Sequence, residues 1–489
     1  MPEHTPEEAA TNQTGQKEQP AQPKGDAALE DLTRFRAAEA LTSLDAKGRR
    51  KWIYPAHVRG AFMRWRQITG YVLILVYFIT PWLKVNGMQA ILLQIPERRF
   101  ILFGYVFWPQ ELFYLVFLLL GLALALFFFT ALMGRLWCGW FCPQTVFMEE
   151  IFRKVEEWIE GTHTERARRD AGPMTLDKAT RKVVKHGFYA LFSAHVANTF
   201  IAYFVGVDNL RHWTFQSPTE HWTAFLIMAA ITLVFYFDFA WFREQFCVVV
   251  CPYARFQSVL TDAHTLQVGY DLVRGEPRGK LGKTTGDCVD CKRCVAVCPT
   301  GIDIRDGFQL ECIGCSRCID ACNDIMARVD KPKGLIRYDS LARLSGAATH
   351  WLRPRVVIYS VLLVATMVAM AVALERRPEL DMSIVRPPGN PFQVLPGGEI
   401  SNHFTLRLHN REDNPHEYTV KALGPTGLRL VLPGNPLTVG GNNQLRSEAF
   451  VMLPQGAVAS GKTGIRFQVF RGSALLVEKH VTFLAPARN

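Results

Sequence analysis

The chain has no cysteine outside short-spaced clusters and none after Cys322. That excludes a disulfide-stapled fold, which belongs in a small secreted domain. No secretory leader is expected, since the charged start is not followed by an apolar core and a small-residue cleavage site. The first membrane helix is therefore expected to direct insertion. No matched pair of mid-membrane histidines is present, which argues against a haem. Residues 1–48 lack a sustained apolar pattern until AALEDLTRFRAAEAL and read as a flexible cytoplasmic tail.

What the chain does have is apolar and aromatic residues, with 33 Phe and 11 Trp. Five segments are long and apolar enough to cross ~30 Å of hydrocarbon: Ile68–Leu83, Leu112–Met133, His186–Val205, Trp222–Trp241 and Val356–Leu374. Runs such as LFYLVFLLLGLALALFFF have no polar face, which argues against buried soluble helices. The formal charge of +11 suits a membrane surface or nucleic acid, and its distribution favours the membrane. Lys47–Arg66 holds seven Lys or Arg and Gly134–Lys185 holds ten, against three in Lys84–Pro109 and one in Gly206–His221. The basic segments and the cysteine-rich loop are expected on the cytoplasmic side. An odd number of crossings then puts the carboxyl-terminal part outside, in the periplasm of a Gram-negative cell.

Eight of the twelve cysteines lie between Asp287 and Asp324. Cys288, Cys291, Cys294 and Cys298 fall at C-x2-C-x2-C-x3-C, followed by Pro299. Cys312, Cys315, Cys318 and Cys322 repeat the spacing, with Asn323 in the proline position. This run holds [4Fe–4S] clusters in bacterial ferredoxins, where the fourth cysteine ligates the other cluster. One cluster is thus assigned Cys288, Cys291, Cys294 and Cys322, the second Cys312, Cys315, Cys318 and Cys298. A zinc site would need four ligands, usually as separated pairs, and gives no reason for two identical runs.

The other four cysteines form two C-x3-C-P pairs, Cys138 and Cys142 in RLWCGWFCPQ and Cys247 and Cys251 in REQFCVVVCPYARF. Each follows a membrane helix at its cytoplasmic end. The i, i+4 spacing is expected to put both thiols of a pair on one helix face, and Pro143 and Pro252 to bend or end that helix. Two such ends facing each other would gather four sulfurs. Soft thiolates select Cu(I), zinc or an iron–sulfur cluster, and a pair could cycle as a dithiol. Buried free cysteines are often simple small hydrophobes. The duplication of the motif, each copy with its proline, favours a functional site.

His195 in the third span reads as a packed residue. Asp238 is expected to pair with Arg243 or another basic group at the interface. Residues 377–489 alternate apolar and polar positions in short runs between Pro and Gly turns, the pattern of a β-sandwich. Its histidines, His403, His409, His416 and His480, read as surface residues.

The stretches RRKWIYP, PWLKVNG, RRFILFGYVFWPQE, GRLWCGWFCPQTVFMEEIFRKVEEWIEG and the double cysteine run resemble the cytochrome c oxidase accessory protein family (FixG, CcoG or RdxA) from about Arg49 onward. The resemblance implies a multi-pass bacterial inner-membrane protein with a ferredoxin insertion and an Ig-like tail. The domains are then a tail over 1–48, a four-helix membrane region over 49–260, a cytoplasmic two-cluster domain over 261–345, a fifth helix over 346–376 and a periplasmic sandwich over 377–489. It also implies two [4Fe–4S] clusters and a role in assembling the cbb3-type oxidase by reducing Cu(II) to Cu(I). The expected partners are a cytoplasmic electron donor and oxidase subunits or a copper chaperone, with no nucleic acid. Copper as substrate or bound ion is placed at Cys138, Cys142, Cys247 and Cys251. Two other readings stay open: a quinol dehydrogenase passing electrons to a partner, and a non-enzymatic assembly scaffold.

Overall fold

The structure, a computed structural model, describes residues 43, 49–108, 111–282, 284–458 and 461–486. Apart from Ser43, the tail expected over 1–48 lies outside these residues. Five long helices are α1 (Ala61–Ile79), α2 (Leu112–Met133), α3 (Leu176–Val205), α4 (Trp222–Phe237) and α5 (Pro354–Glu375). A π-helical turn, Asp238–Phe242, prolongs α4.

Among the described residues, four helices rather than the expected five are long and apolar enough to cross a membrane: Phe113–Met133, Leu176–Val205, Trp222–Phe242 and Pro354–Glu375. Helix α1 does form, but earlier than the expected Ile68–Leu83. Arg64, Arg66 and Gln67 sit in its first turns and dilute its apolar character. It starts at Ala61 because the Asp320 carboxylate accepts from the N–H groups of Phe62 and Met63, at 3.4 and 2.7 Å. This is side-chain capping supplied from a distant part of the chain. Helix α3 begins at Leu176, well before His186. Asp177, Lys178, Arg181, Lys182 and Lys185 make its first turns polar. The side chains of α2, α4 and α5 are largely uncovered, with Leu122, Leu233 and Val361 more than half exposed. Such faces need an apolar solvent, as a membrane provides.

The chain forms two compact units. The first holds residues up to Leu75, Ala125–Ser193 and Leu233–Ser360; the second holds Val76–Leu124, Ala194–Thr232 and Val361–Asn489. In the first, an antiparallel ribbon pairs Leu266–Tyr270 with Ile336–Ser340, in register from Leu266↔Ser340 to Tyr270↔Ile336. It clasps the two ends of the cysteine-rich segment. Val268, Ile302, Ile304, Ile319, Met326, Leu335 and Ile336 form the core beneath it.

In the second unit, residues from Leu380 onward form the expected sandwich. One sheet is ordered Arg429–Val431, Gln444–Pro454, Glu399–Asn410, Leu380–Val385, with Gln393–Val394 also paired to Glu399–Asn410. The other runs Leu437–Val439, His416–Leu423, Lys462–Arg471, Ala474–Leu484. Period-two alternation sends Phe404, Leu406 and Leu408 inward from one sheet and Ile465, Phe467 and Val469 from the other. His409 is buried rather than on the surface, its ring centroid 5.1 Å from Trp108. The pattern between Lys84 and Phe107 was not read as structure. It forms a small sheet of Ile91–Gln94, Arg99–Leu102 and Tyr105–Phe107. His195 packs as expected, stacked 4.6 Å from Phe78.

Candidate functional site

The two cysteine runs fold as one repeated device. The second cysteine of each run is flanked by left-handed residues: Asp290 (φ 50°) and Lys292 (φ 55°) around Cys291, Gly314 (φ 66°) and Ser316 (φ 61°) around Cys315. The backbone thus curls around that thiol. Lys292 and Ser316 then start the helices Arg293–Ala296 and Arg317–Arg328, whose first turns carry Cys294 and Cys318.

Cys288, Cys291, Cys294 and Cys322 line one small cavity. Cys298, Cys312, Cys315 and Cys318 line a second, which Cys294 also borders. Each cavity gathers the four thiols that the crossed ligand pattern groups together. The remaining walls include Ile325, Met326 and Leu335 in the first and Val268, Ile302 and Ile313 in the second. Among the described residues no three Cys, His, Asp or Glu side chains converge closely enough for one metal ion. Four thiols lining one apolar pocket, in the repeated C-x2-C-x2-C pattern with a crossed fourth cysteine, fit a cubane cluster. Asn323 also has a reason: the helix continues past it to Arg328, and its side chain accepts from the Gly334 N–H at 2.9 Å. A proline there would break a helix that Cys322 does not end.

The two cavities are not equivalent. Cys291 is the one exposed cysteine of the twelve. Its counterpart in the second run, Cys315, is buried. A hydrophilic iron chelator should therefore strip the Cys291 cavity first. Iron content and EPR of the reduced protein should show one signal lost before the other; simultaneous loss would contradict this inequivalence.

The C-x3-C-P pairs differ from expectation. Each cysteine pair does not ride one continuous helix. Cys138 lies in the short helix Leu136–Trp140, and Cys247 in the π-helical turn Phe246–Val250. The chain then turns extended at Cys142 (ψ 124°) and Cys251 (ψ 111°), which cap the helices begun by Pro143 and Pro252. The reason is the proline, whose ring excludes the helical region for the residue before it. The two motifs close alike: Cys142 N–H reaches Trp137 O and Cys251 N–H reaches Phe246 O, each at 2.9 Å.

The structure nevertheless brings the four thiols into electrostatic reach of one another. Burial, with Cys142 alongside, pushes Cys138 up to about 12. Burial and the neighbouring thiols also push Cys247 upward. Burial raises Cys142 too, and its helix N–H donors at Thr145 and Gln144 offset part of that. The fully buried Gln257 amide lies 3.5 Å from the Cys138 sulfur and ties the first motif to the helix that follows the second.

Sequence reasoning missed the residues that seat the thiols on the cluster loop. Gly139, between Cys138 and Cys142, packs directly on backbone. A Cβ there would stand 2.7 Å from Ile313 O and 2.9 Å from both N and Cα of Cys315. The contact is reciprocal, because a Cβ on Gly314 would stand 3.1 Å from Arg135 O. Arg135 donates to Ala254 O at 2.7 Å, to Cys312 O at 3.4 Å and to Leu310 O. One buried guanidinium thus joins both motifs to the cluster loop. Trp140 adds a bond to Tyr338 Oη at 3.1 Å, and Tyr338 donates to Gly314 O.

A buried charge network surrounds this seam. Glu149, in the π-helical turn Met148–Phe152, pairs with Arg153, with Arg317 beside Cys318, and with Arg66 at 3.8 Å. Arg66 in turn donates to Gly139 O at 2.9 Å. Burial pushes the Glu149 carboxyl up, but Arg153, Arg317 and Arg66 outweigh it and hold it near 2. Arg243 pairs with Glu156, not with Asp238 as expected. Asp238 faces the Gln144 amide instead and lies within electrostatic reach of Cys247.

These features define a membrane-embedded protein that carries iron–sulfur clusters of the ferredoxin type. The chain belongs to the FixG/RdxA family. It is 36% identical over 456 residues to protein RdxB of Cereibacter sphaeroides, covering 88% of this chain and 94% of the relative. RdxA of the same organism is 36% identical, covering 83% and 90%. Nitrogen fixation protein FixG of Rhizobium meliloti is 32% identical, covering 87% and 92%. Family models for a 4Fe-4S binding domain, a 4Fe-4S dicluster domain and the Ig-like fold at the C-terminus of FixG match residues 115–160, 242–341 and 370–486. The first two ranges take in all twelve cysteines. A crystal structure of a FixG-related protein from Vibrio parahaemolyticus aligns with 22% of this chain and 98% of its own, at 21% identity and a TM-score of 0.21.

Proposed function

We propose that this protein reduces Cu(II) to Cu(I) on the four C-x3-C-P thiols, for copper delivery during assembly of a cbb3-type oxidase. The observation that carries the reading is the Gly139–Cys315 contact, which seats the paired thiols directly on a cluster-binding loop. Cys288, Cys291, Cys294 and Cys322 would hold one [4Fe–4S] cluster, and Cys298, Cys312, Cys315 and Cys318 the other. Such clusters supply one-electron carriers when bound. The substrate step is Cu(II) plus one electron giving Cu(I), with the electron drawn from a one-electron donor in the cytoplasm. Cys138, Cys142, Cys247 and Cys251 bind the ion, releasing their protons to solvent as thiolate replaces thiol. Thiolate ligation favours Cu(I) over harder ions and holds the product in a transferable form. The thiols must close in to grip one ion, since they are not gathered tightly enough as they stand.

Counting α1 as a crossing gives five. Its uncovered Ile68, Val72, Leu75, Val76 and Ile79 support that count. The basic loops and the ferredoxin segment then face the cytoplasm of a bacterial inner membrane, and the sandwich faces the periplasm.

A second reading has one observation in its favour: both C-x3-C-P pairs fall within iron–sulfur family models. In that reading the four thiols hold a further cluster. Anaerobic mixing of the reduced protein with Cu(II) and a Cu(I) chelator, with iron counted beforehand, separates the two. About eight irons per chain and Cu(I) formed in step with protein oxidation support copper reduction. About twelve irons, falling when the four cysteines are replaced, would transfer the site to the second reading. Oxidation by a quinone but not by copper would sink both and leave an electron conduit.

A further inference from the structure

We infer that His212 and His221, with the Gln216 amide between them, form a binding site for a divalent cation of the copper, nickel and zinc class. The residues lie in the second unit, between α3 and α4. The nine-residue helix Val207–Phe215 carries His212 in its last turn, and Gln216 follows as its carboxyl-terminal cap. The chain then reverses in a turn in which the Glu220 N–H reaches Ser217 O at 3.0 Å, and this brings His221 back beside the helix end.

Both imidazoles aim the same nitrogen at one small group. His212 Nε2 is 2.9 Å from Gln216 Nε2, and His221 Nε2 is 2.7 Å from Gln216 Oε1. The ring centroids are 6.2 Å apart. The Trp213 ring, 5.7 Å from His221, flanks the pair. For both contacts to be hydrogen bonds, one Nε2 must carry a proton and the other must not. A cation replaces that arrangement with two metal–nitrogen bonds, and the one Nε2 proton leaves to solvent or moves to Nδ1. Gln216 Oε1 is placed as a third donor, and water completes the shell. Among the described residues no carboxylate pairs with either histidine, and the donors are two imidazoles and an amide oxygen. That set suits the borderline transition metals and not Ca²⁺ or Mg²⁺, which take oxygen donors. Among divalent first-row ions Cu(II) binds such donors most tightly.

The inference does not depend on copper reduction at the cysteines, and the test keeps them separate. The full-length protein, clusters in place, is replaced at Cys138, Cys142, Cys247 and Cys251 by serine and titrated with Cu(II). Pulsed EPR then reads the imidazole nitrogens on the bound ion. The expected result is about one Cu(II) per chain with two imidazole nitrogens. His212→Ala or His221→Ala should each weaken that binding by about tenfold or more, while Gln216→Ala keeps both nitrogens. His212 is exposed and His221 half-buried, in a short helix and turn, so unchanged circular dichroism and thermal unfolding will report an intact fold. An unaltered imidazole-bound Cu(II) signal in the His212→Ala/His221→Ala double variant, or no such signal in the parent, overturns the site.

Discussion

Gly139→Ala is expected to empty one cluster cavity and leave the other filled. A methyl group there meets three backbone atoms of the Ile313–Cys315 loop at 2.7 to 2.9 Å. Backbone cannot rotate aside as a side chain can, so the loop must move. Overpacking of this kind costs about 1–3 kcal/mol in ordinary cores. Here the displaced atoms also carry Cys315, so geometry at the Cys298–Cys312–Cys315–Cys318 cavity goes with them. Iron should fall to about half, and the reduced protein should keep a single cluster signal by EPR. Gly187→Ala is the control, since nothing lies within 4 Å of a Cβ at that helical position. It should keep full iron and, if anything, stabilise α3 by about 0.5–1 kcal/mol. Full iron in Gly139→Ala would mean that the contact does not position the loop.

The second large effect is expected for Glu149→Gln. Glu149 is buried and neutralises Arg153 and Arg317, with Arg66 close by. Removing its charge leaves the Arg317 guanidinium buried without a carboxylate, while Arg153 keeps Glu244 at 3.3 Å; such a change costs about 3–5 kcal/mol in comparable buried pairs. Thermal unfolding in detergent should fall accordingly, and the seam through Arg66 and Gly139 O should loosen. The same carboxylate predicts an acid limit. Its folded value, held near 2, lies below the ordinary 4.5. Its contribution to stability is therefore complete above about pH 4.5 and is lost as pH falls toward 2. Glu149→Gln should lack that part of the acid dependence. A variant with parental stability and parental acid profile would show that the network is not holding the unit together.

The cluster cavities were legible in the sequence because their ligands are local. Each C-x2-C-x2-C fixes three thiols within seven residues, and the crossed fourth ligand follows from the repeat. The sandwich was legible for the same kind of reason, since alternation at Phe404, Leu406 and Leu408 reports a buried face directly. The C-x3-C-P geometry was only half legible. The i, i+4 spacing suggested one helix face, whereas Pro143 and Pro252 force Cys142 and Cys251 out of the helix. That signal was present in the sequence and outweighed the spacing. Arg135, Gly139 and Gln257 were not legible, because what they touch lies more than a hundred residues away in the chain. Glu149 was not legible either, because two of its three arginines, Arg66 and Arg317, lie far away in the chain. Helix α1 was misplaced because its start is set by Asp320, a cap that no local window contains.

The most direct test of the central claim is copper K-edge X-ray absorption on the reduced protein after anaerobic addition of about one equivalent of Cu(II). The account predicts an edge characteristic of Cu(I) and a first shell made of sulfur, both lost when Cys138, Cys142, Cys247 and Cys251 are replaced by serine while the iron content stays unchanged. Copper that remains Cu(II), or Cu(I) held by nitrogen and oxygen with those four cysteines intact, would contradict it.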